Sequence, residues 1–301
     1  MEKNLSALGF MSGTSGDGVD SSVISSNGKD SISIKYNRFD TYPSELSNKL
    51  HRIKENILKM QDLLKYSPKI EELEREITDF HVEIAIKISK KINYDLIGFH
   101  GHTIYHNSDE KISKQIGLGK NLSRKTNKTV VYDFRQNDIK NGGEGAPLAP
   151  IYHLALIKTL LKESKVKIPV SILNIGGIAN ITEIDKDFKI SSRDIGPGNC
   201  LIDKWVRKNS NKAFDKDGNF AMKGKIDKFI FDQYMDNYYY SKINSRRSLD
   251  TNDFDISFAK GLSLENGTTT ITDLTSELLS KKIGNYNIYV CGGGRKNKYL
   301  I

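Results

Sequence analysis

The chain has 301 residues, 37% of them hydrophobic, which is enough to bury two cores with a ligand site. A mean hydropathy of -0.49 and the lack of any apolar run near roughly eighteen residues exclude a membrane span, so no membrane partner is expected. The net charge of +9 raises a nucleic-acid partner, but the lysines are scattered over the chain rather than gathered into an arm or stripe. We therefore assign the charge to solubility and to some attraction for anionic substrates, and expect no nucleic-acid partner.

Glu2, Gly9 and Gly13 interrupt the N-terminal apolar residues, which reads as no signal peptide and a cytoplasmic protein. Leu5–Met11 enters a glycine-rich turn and Val19–Ser25 leaves it, a hairpin pattern, with a third strand near Ser31–Tyr36. Leu73, Ile77, Phe80, Ile84 and Ile88 recur at helical spacing, so one apolar face packs while the charges opposite stay solvated. Asp95–Phe99 and Thr129–Tyr132 read as buried strands. Past NGGEGAPLAP (141–150) the pattern restarts, with a helix, a strand Pro169–Ile175, a glycine turn and a strand Ile178–Ile184. A strand, glycine turn and strand thus open each half, which divides the chain into lobes at 1–140 and 141–301. Cys200 and Cys291 lie far apart and outside any Cys/His cluster, so neither a disulfide framework nor a structural zinc site is expected.

Three glycine turns stand out, at 13–18, at Gly176-Gly177 and at Gly292-Gly293-Gly294. Glycine lets backbone N–H groups approach and converge on phosphate oxygens, although a single such turn is as readily an ordinary hairpin. Neither the GxxxxGK[ST] loop nor GxGxxG after a strand is present, so a Walker or Rossmann site is not indicated. Asp194 stands before Gly196-Pro197-Gly198, a turn expected to expose its side chain; an Asp there is either a cap or a candidate base.

Seven segments in order, MSGTSGDGVD (11–20), GFHGHTIYH (98–106), DFRQNDIKNGGEGAPL (133–148), LNIGGIANIT (173–182), DIGPGN (194–199), FDKDG (214–218) and CGGGRKNKYL (291–300), resemble the anhydro-N-acetylmuramic acid kinase family. The resemblance implies an α/β, two-lobed actin-like ATPase fold of ribonuclease H-like lobes with an interlobe cleft. It also implies ATP as cofactor, a small-molecule amino sugar as substrate, and a homodimer. It assigns Gly13, Thr14, Ser15, Gly16, Asp17, Gly18, Val19 and Asp20 to the first phosphate loop. Gly176 and Gly177 go to the second phosphate hairpin, and Gly292, Gly293 and Gly294 to the adenosine loop.

Asp194 becomes the catalytic base that draws a proton from water attacking C1 of 1,6-anhydro-N-acetylmuramic acid, in the recycling of cell-wall material. Arg135 suits the lactyl carboxylate of such a sugar because guanidinium meets carboxylate as a planar fork. Asp133 could instead fix Arg135. His100 and Asn199 are further substrate candidates, and Asp17 and Asp20 are candidates for Mg2+. His100, His102 and His106 also suit hydrogen bonding to sugar hydroxyls better than zinc. A kinase for a different amino sugar, and a nucleotide-binding relic without turnover, remain alternatives.

Departures from the family pattern are Gly16 in place of leucine, His102 in place of glutamine, Gln115–Lys120 without its acidic residue, and an unrelated stretch Lys242–Asp253. The added backbone freedom at Gly16 is expected to weaken ATP binding. The chain also ends before the family's later elements, which reads as a truncated C-terminus.

Overall fold

The computed structural model describes residues 4–13, 16–107, 109–238, the backbone of 239 and 240, 248–284 and 286–301. Thr14 and Ser15 of the first glycine turn, and residues 242–247 of the 242–253 stretch, lie outside the described residues. The chain divides into two compact units, Met1–Val166 and Lys167–Ile301.

The first unit is built on strands β1 (Leu5–Ser12), β2 (Gly18–Ser26), β3 (Ile32–Thr41), β4 (Leu96–Asn107), β5 (Ile112–Ile116) and β6 (Thr129–Tyr132). The sheet runs β3-β2-β1-β4-β5, with β6 also paired to β4. β1, β2 and β3 form an antiparallel meander, whereas β4 lies parallel to both β1 and β6. Alternation fixes which face of β1 is inside: Leu8, Phe10 and Ser12 are buried and Met11 is exposed.

Helices α1 (Ser44–Asn56), α2 (Met60–Lys65), α3 (Ser67–Ser89), α4 (Gly119–Thr126), α5 (Phe134–Lys140) and α6 (Pro150–Lys162) complete the unit. The helical spacing read from the sequence is met in α3, where Leu73, Ile77, Ile84 and Ile88 join Leu8, Val19, Val23 and Leu50 in one core and Phe80 packs at its margin. α6 packs on β3 and so groups with this unit. β6 departs from its expected burial. Val131 and Tyr132 are exposed, because β6 pairs with β4 alone. β4 is longer than expected and carries His100, His102 and His106 within the strand rather than in a loop.

The second unit comprises β7 (Val170–Ile175), β8 (Ile178–Ile184), β9 (Ile190–Pro197) and β10 (Asn287–Cys291), with α7 (Cys200–Asn209), α8 (Lys228–Tyr240) and α9 (Leu264–Ser280). Its sheet order is β10-β7-β8-β9, an antiparallel meander with β10 parallel to β7. This repeats the β1–β4 arrangement of the first unit, a three-stranded antiparallel meander with a further strand parallel to its first. Each unit is therefore an α/β unit built on the same strand order.

α9 buries five threonines, Thr268, Thr269, Thr270, Thr272 and Thr275. Each hydroxyl donates to the carbonyl four residues back, such as Thr268 Oγ1 to Leu264 O at 2.6 Å, so no polar atom is stranded there. Gly267 lies flat against Trp205 of α7, where a Cβ would come within 2.2 Å of the indole. No helix among the described residues is long and apolar enough to cross a membrane.

Candidate active site

In both units the candidate residues gather at one end of the sheet. β7, β9 and β10 run in the same direction, so the segments leaving their C-terminal ends emerge together: Gly176-Gly177, Gly198-Asn199 and Gly292-Gly293-Gly294. In open α/β sheets this end is where ligands are taken.

The three segments touch. The Gly176 carbonyl accepts from the Asn199 N–H at 2.7 Å and from Asn199 Nδ2 at 3.1 Å. The Gly177 carbonyl accepts from the N–H groups of Gly198 at 3.0 Å and Cys200 at 3.1 Å. A Cβ on Gly198 would sit 2.2 Å from Gly176 O, so no side chain fits between hairpin and helix start. Gly292 has φ +81° and would place a Cβ 2.5 Å from Ile175 O, while one on Gly293 would reach Asn199 Nδ2 at 3.8 Å. A Cβ on Gly294 would come within 2.3 Å of Ile175 Cγ2. Asn199, expected to meet substrate, spends its amide on the turn carbonyls of Ile175 and Gly176.

Asp194 is not exposed by the turn that follows it. Only 7% of it is accessible, because β9 continues through Pro197 before turning. Its Oδ2 accepts from the Leu249 N–H at 2.8 Å, a link across 55 residues that no local pattern announces.

In the first unit, β1, β4 and β6 are likewise parallel. The 13–18 turn follows the C-terminal end of β1 and the segment containing Asp133 and Arg135 follows that of β6, while His100 lies within β4, one residue past Phe99, where the pairing of β4 with β6 ends. Gly16 closes the turn, with φ +64° and its N–H donating to Gly13 O at 3.0 Å. Gly18 fits tightly against β3, where a Cβ would lie 2.4 Å from Asp40 O. Asp17 and Asp20 are exposed and Val19 is buried in the core.

His100 and Arg135 are brought together: Arg135 Nε donates to His100 Nε2 at 3.1 Å, while His100 Nδ1 donates to Gly101 O at 3.0 Å. Both ring nitrogens then suit the neutral imidazole. Burial first, and the Arg135 charge second, depress the His100 pKa to about 4.

The three histidines of β4 do not form a cluster. Gly101 takes φ +73° and breaks the strand's alternation, and His102 turns to Ser12, with Nδ1 2.7 Å from Oγ. His106 pairs with Ser113 at 3.1 Å. Among the described residues no group of three or more His, Cys, Asp or Glu side chains could hold a metal ion. A cavity of about 320 Å³ opens beside His100, lined by polar Ser113, Gln115, Asp133, Gln136 and Lys140.

Sequence reasoning missed Leu249 and Ser12, whose contacts with Asp194 and His102 join distant segments for which the sequence holds no local signal.

The model of the family described as "Anhydro-N-acetylmuramic acid kinase" matches residues 5–301. Among curated relatives, the protein named anhydro-N-acetylmuramic acid kinase of Pelagibacter ubique (strain HTCC1062) is 43% identical, over 100% of this chain and 83% of its own length. Proteins of the same name from Rhizobium etli and Agrobacterium fabrum are 36% and 35% identical, each over 98% of this chain and 81% of the relative. With glycine turns at matching strand ends in both units and this similarity along its whole length, the chain belongs to the anhydro-N-acetylmuramic acid kinase family.

Proposed function

We propose that the chain is an ATP-dependent kinase that opens 1,6-anhydro-N-acetylmuramic acid and yields N-acetylmuramic acid 6-phosphate and ADP, in recycling of cell-wall material in the cytoplasm. The observation that carries this reading is the gathering of the candidate residues of each unit at the C-terminal ends of its parallel strands. That end exposes backbone donors, which phosphoryl transfer requires because its catalysis is mainly positioning and charge stabilisation.

The first unit contributes the phosphate turn around Gly13 and Gly16–Asp20, and a sugar subsite at His100 and Arg135. Thr14 and Ser15 belong to the same turn by sequence. The second unit contributes the Gly176-Gly177 hairpin for phosphate, Gly292–Gly294 for adenosine, and Asp194. Asn199 acts by shaping the hairpin through its amide.

A water oxygen bonds to C1 of the sugar as the C1–O6 bond breaks; O6 takes the γ-phosphoryl group, and the water's proton passes to Asp194. The Leu249 N–H donates to Oδ2 of the carboxylate and so fixes the orientation of the proposed base. Neutral His100 offers no competing positive charge to the sugar, and Arg135 supplies the cation for its carboxylate.

Asp17 and Asp20 suit Mg2+, which usually keeps waters and takes one or two carboxylates beside the phosphates rather than a full protein cage. Held there, such an ion would supply neutralisation of the triphosphate charge. A homodimer is part of the same proposal.

Asp194→Asn tests the reading. Asparagine can still accept from the Leu249 N–H, so the fold should persist while kcat falls by roughly 10²–10⁴ with the KM for ATP little changed. Undiminished turnover removes Asp194 as the base.

A further inference from the structure

The 13–18 turn is held from outside by residues that belong to none of the seven motifs. Tyr42, just past β3, reaches both of its ends. Its N–H donates to Asp17 O at 3.0 Å, and its hydroxyl lies 2.9 Å from Ser12 Oγ, which in turn is 2.7 Å from His102 Nδ1. Ser47 in α1 reaches the middle, donating from Oγ to Gly16 O at 2.7 Å. One helical turn further, the His51 ring stands 3.4 Å from where a Cβ on Gly16 would be. Tyr42 and Ser12 are each 3% exposed and His102 1%, so the links at the turn's start are dry. Burial pushes the Tyr42 pKa up to about 12, so the phenol stays neutral beside Ser12 Oγ.

We propose that Tyr42 and Ser47 are positioning residues for phosphoryl transfer, holding Ser12, Gly16 and Asp17, which flank and close the first glycine turn, in place for the nucleotide's phosphates. The proposal rests on the assignment of this turn to the ATP phosphates. A turn fixed beforehand spares binding the cost of ordering it, so loss of either contact should appear in triphosphate affinity. Neither side chain is placed against substrate; both act through Gly16, Asp17 and Ser12.

The test is calorimetry with a non-hydrolysable ATP analogue and with adenosine, on the intact chain and on Tyr42→Phe, Ser47→Ala, Ser47→Thr and Gly16→Ala. Tyr42→Phe and Ser47→Ala should each weaken the triphosphate about three- to tenfold, the scale of one net hydrogen bond. Adenosine affinity should stay constant, and Ser47→Thr should restore the triphosphate. A purely structural role predicts instead equal loss for both ligands, or a lower Tm with affinities unchanged, and either result overturns the proposal.

Gly16→Ala separates the two levels of the argument, since it forces a side chain at φ +64° against His51. If it weakens the triphosphate while Tyr42→Phe and Ser47→Ala do not, the positioning role fails and the turn assignment stands. If all three leave triphosphate affinity unchanged, the assignment falls and the proposal with it.

Discussion

Acid should undo the first unit before the second. All six histidines, at positions 51, 81, 100, 102, 106 and 153, lie in the first unit. Four are held neutral by burial, with pKa values of about 4 for His81, His100 and His106 and about 3 for His102. Nearby cations add to burial, Arg135 for His100 and His106 and Lys54 for His102.

Unfolded histidine titrates near about 6.5, so between that value and about 4 the unfolded chain takes up protons that the folded unit refuses. Stability is complete above about pH 6.5 and is lost as pH falls. At pH 5 each of these histidines costs about 2 kcal/mol, a sizeable fraction of the stability of a typical domain. Hydrogen exchange followed by mass spectrometry at stepped pH resolves the units separately, and the single tryptophan, Trp205, reports on the second. Amides of β1, β4 and α3 should lose protection near pH 5 while Trp205 fluorescence is unchanged. Protection of those segments persisting to pH 4 refutes the reasoning. His81→Phe keeps the aromatic contacts with Phe10 and Phe99, removes Nε2, which has no partner among the described residues, together with the 2.7 Å bond from Nδ1 to Ile77 O, and should flatten the pH slope by about one proton.

Two further substitutions probe the second unit. Gly267→Ala forces a methyl to within 2.2 Å of Trp205; a loss of about 1–3 kcal/mol is expected in thermal melts, with a shifted Trp205 emission. Gly292→Ala meets both the φ of +81° and Ile175 O at 2.5 Å, so the loop must move. The KM for ATP should rise about tenfold without change in the KM for the sugar, the magnitude set by roughly 1–2 kcal/mol of backbone strain.

Most of the fold was legible because its signals are periodic. The alternation of β1 and the three-and-four spacing of α3 each follow from burying one face, and both survive in the structure. The repeated strand, glycine turn and strand announced two related lobes. Other features depend on neighbours that sequence does not name. Val131 and Tyr132 look like core residues until β6 proves to pair with β4 alone. Asp194 looked exposed because a glycine-proline turn follows it, yet three more residues of β9 and the Leu249 N–H enclose it. The histidines of β4 share a face only in an unbroken strand, and Gly101 breaks it.

Gly16 shows how such context changes the meaning of a residue. Alone, a glycine in a phosphate turn suggests extra freedom that nucleotide binding must quench. Here its φ of +64° is a conformation in which leucine would be strained, its N–H is bound to Gly13 O and its carbonyl to Ser47 Oγ, and the His51 ring lies beside it. These contacts confine the residue before any ligand arrives, so much of the entropy cost is met in folding rather than in binding. The departure from leucine is then tied to α1: glycine permits the left-handed turn, and Ser47 with His51 removes the freedom that glycine brings.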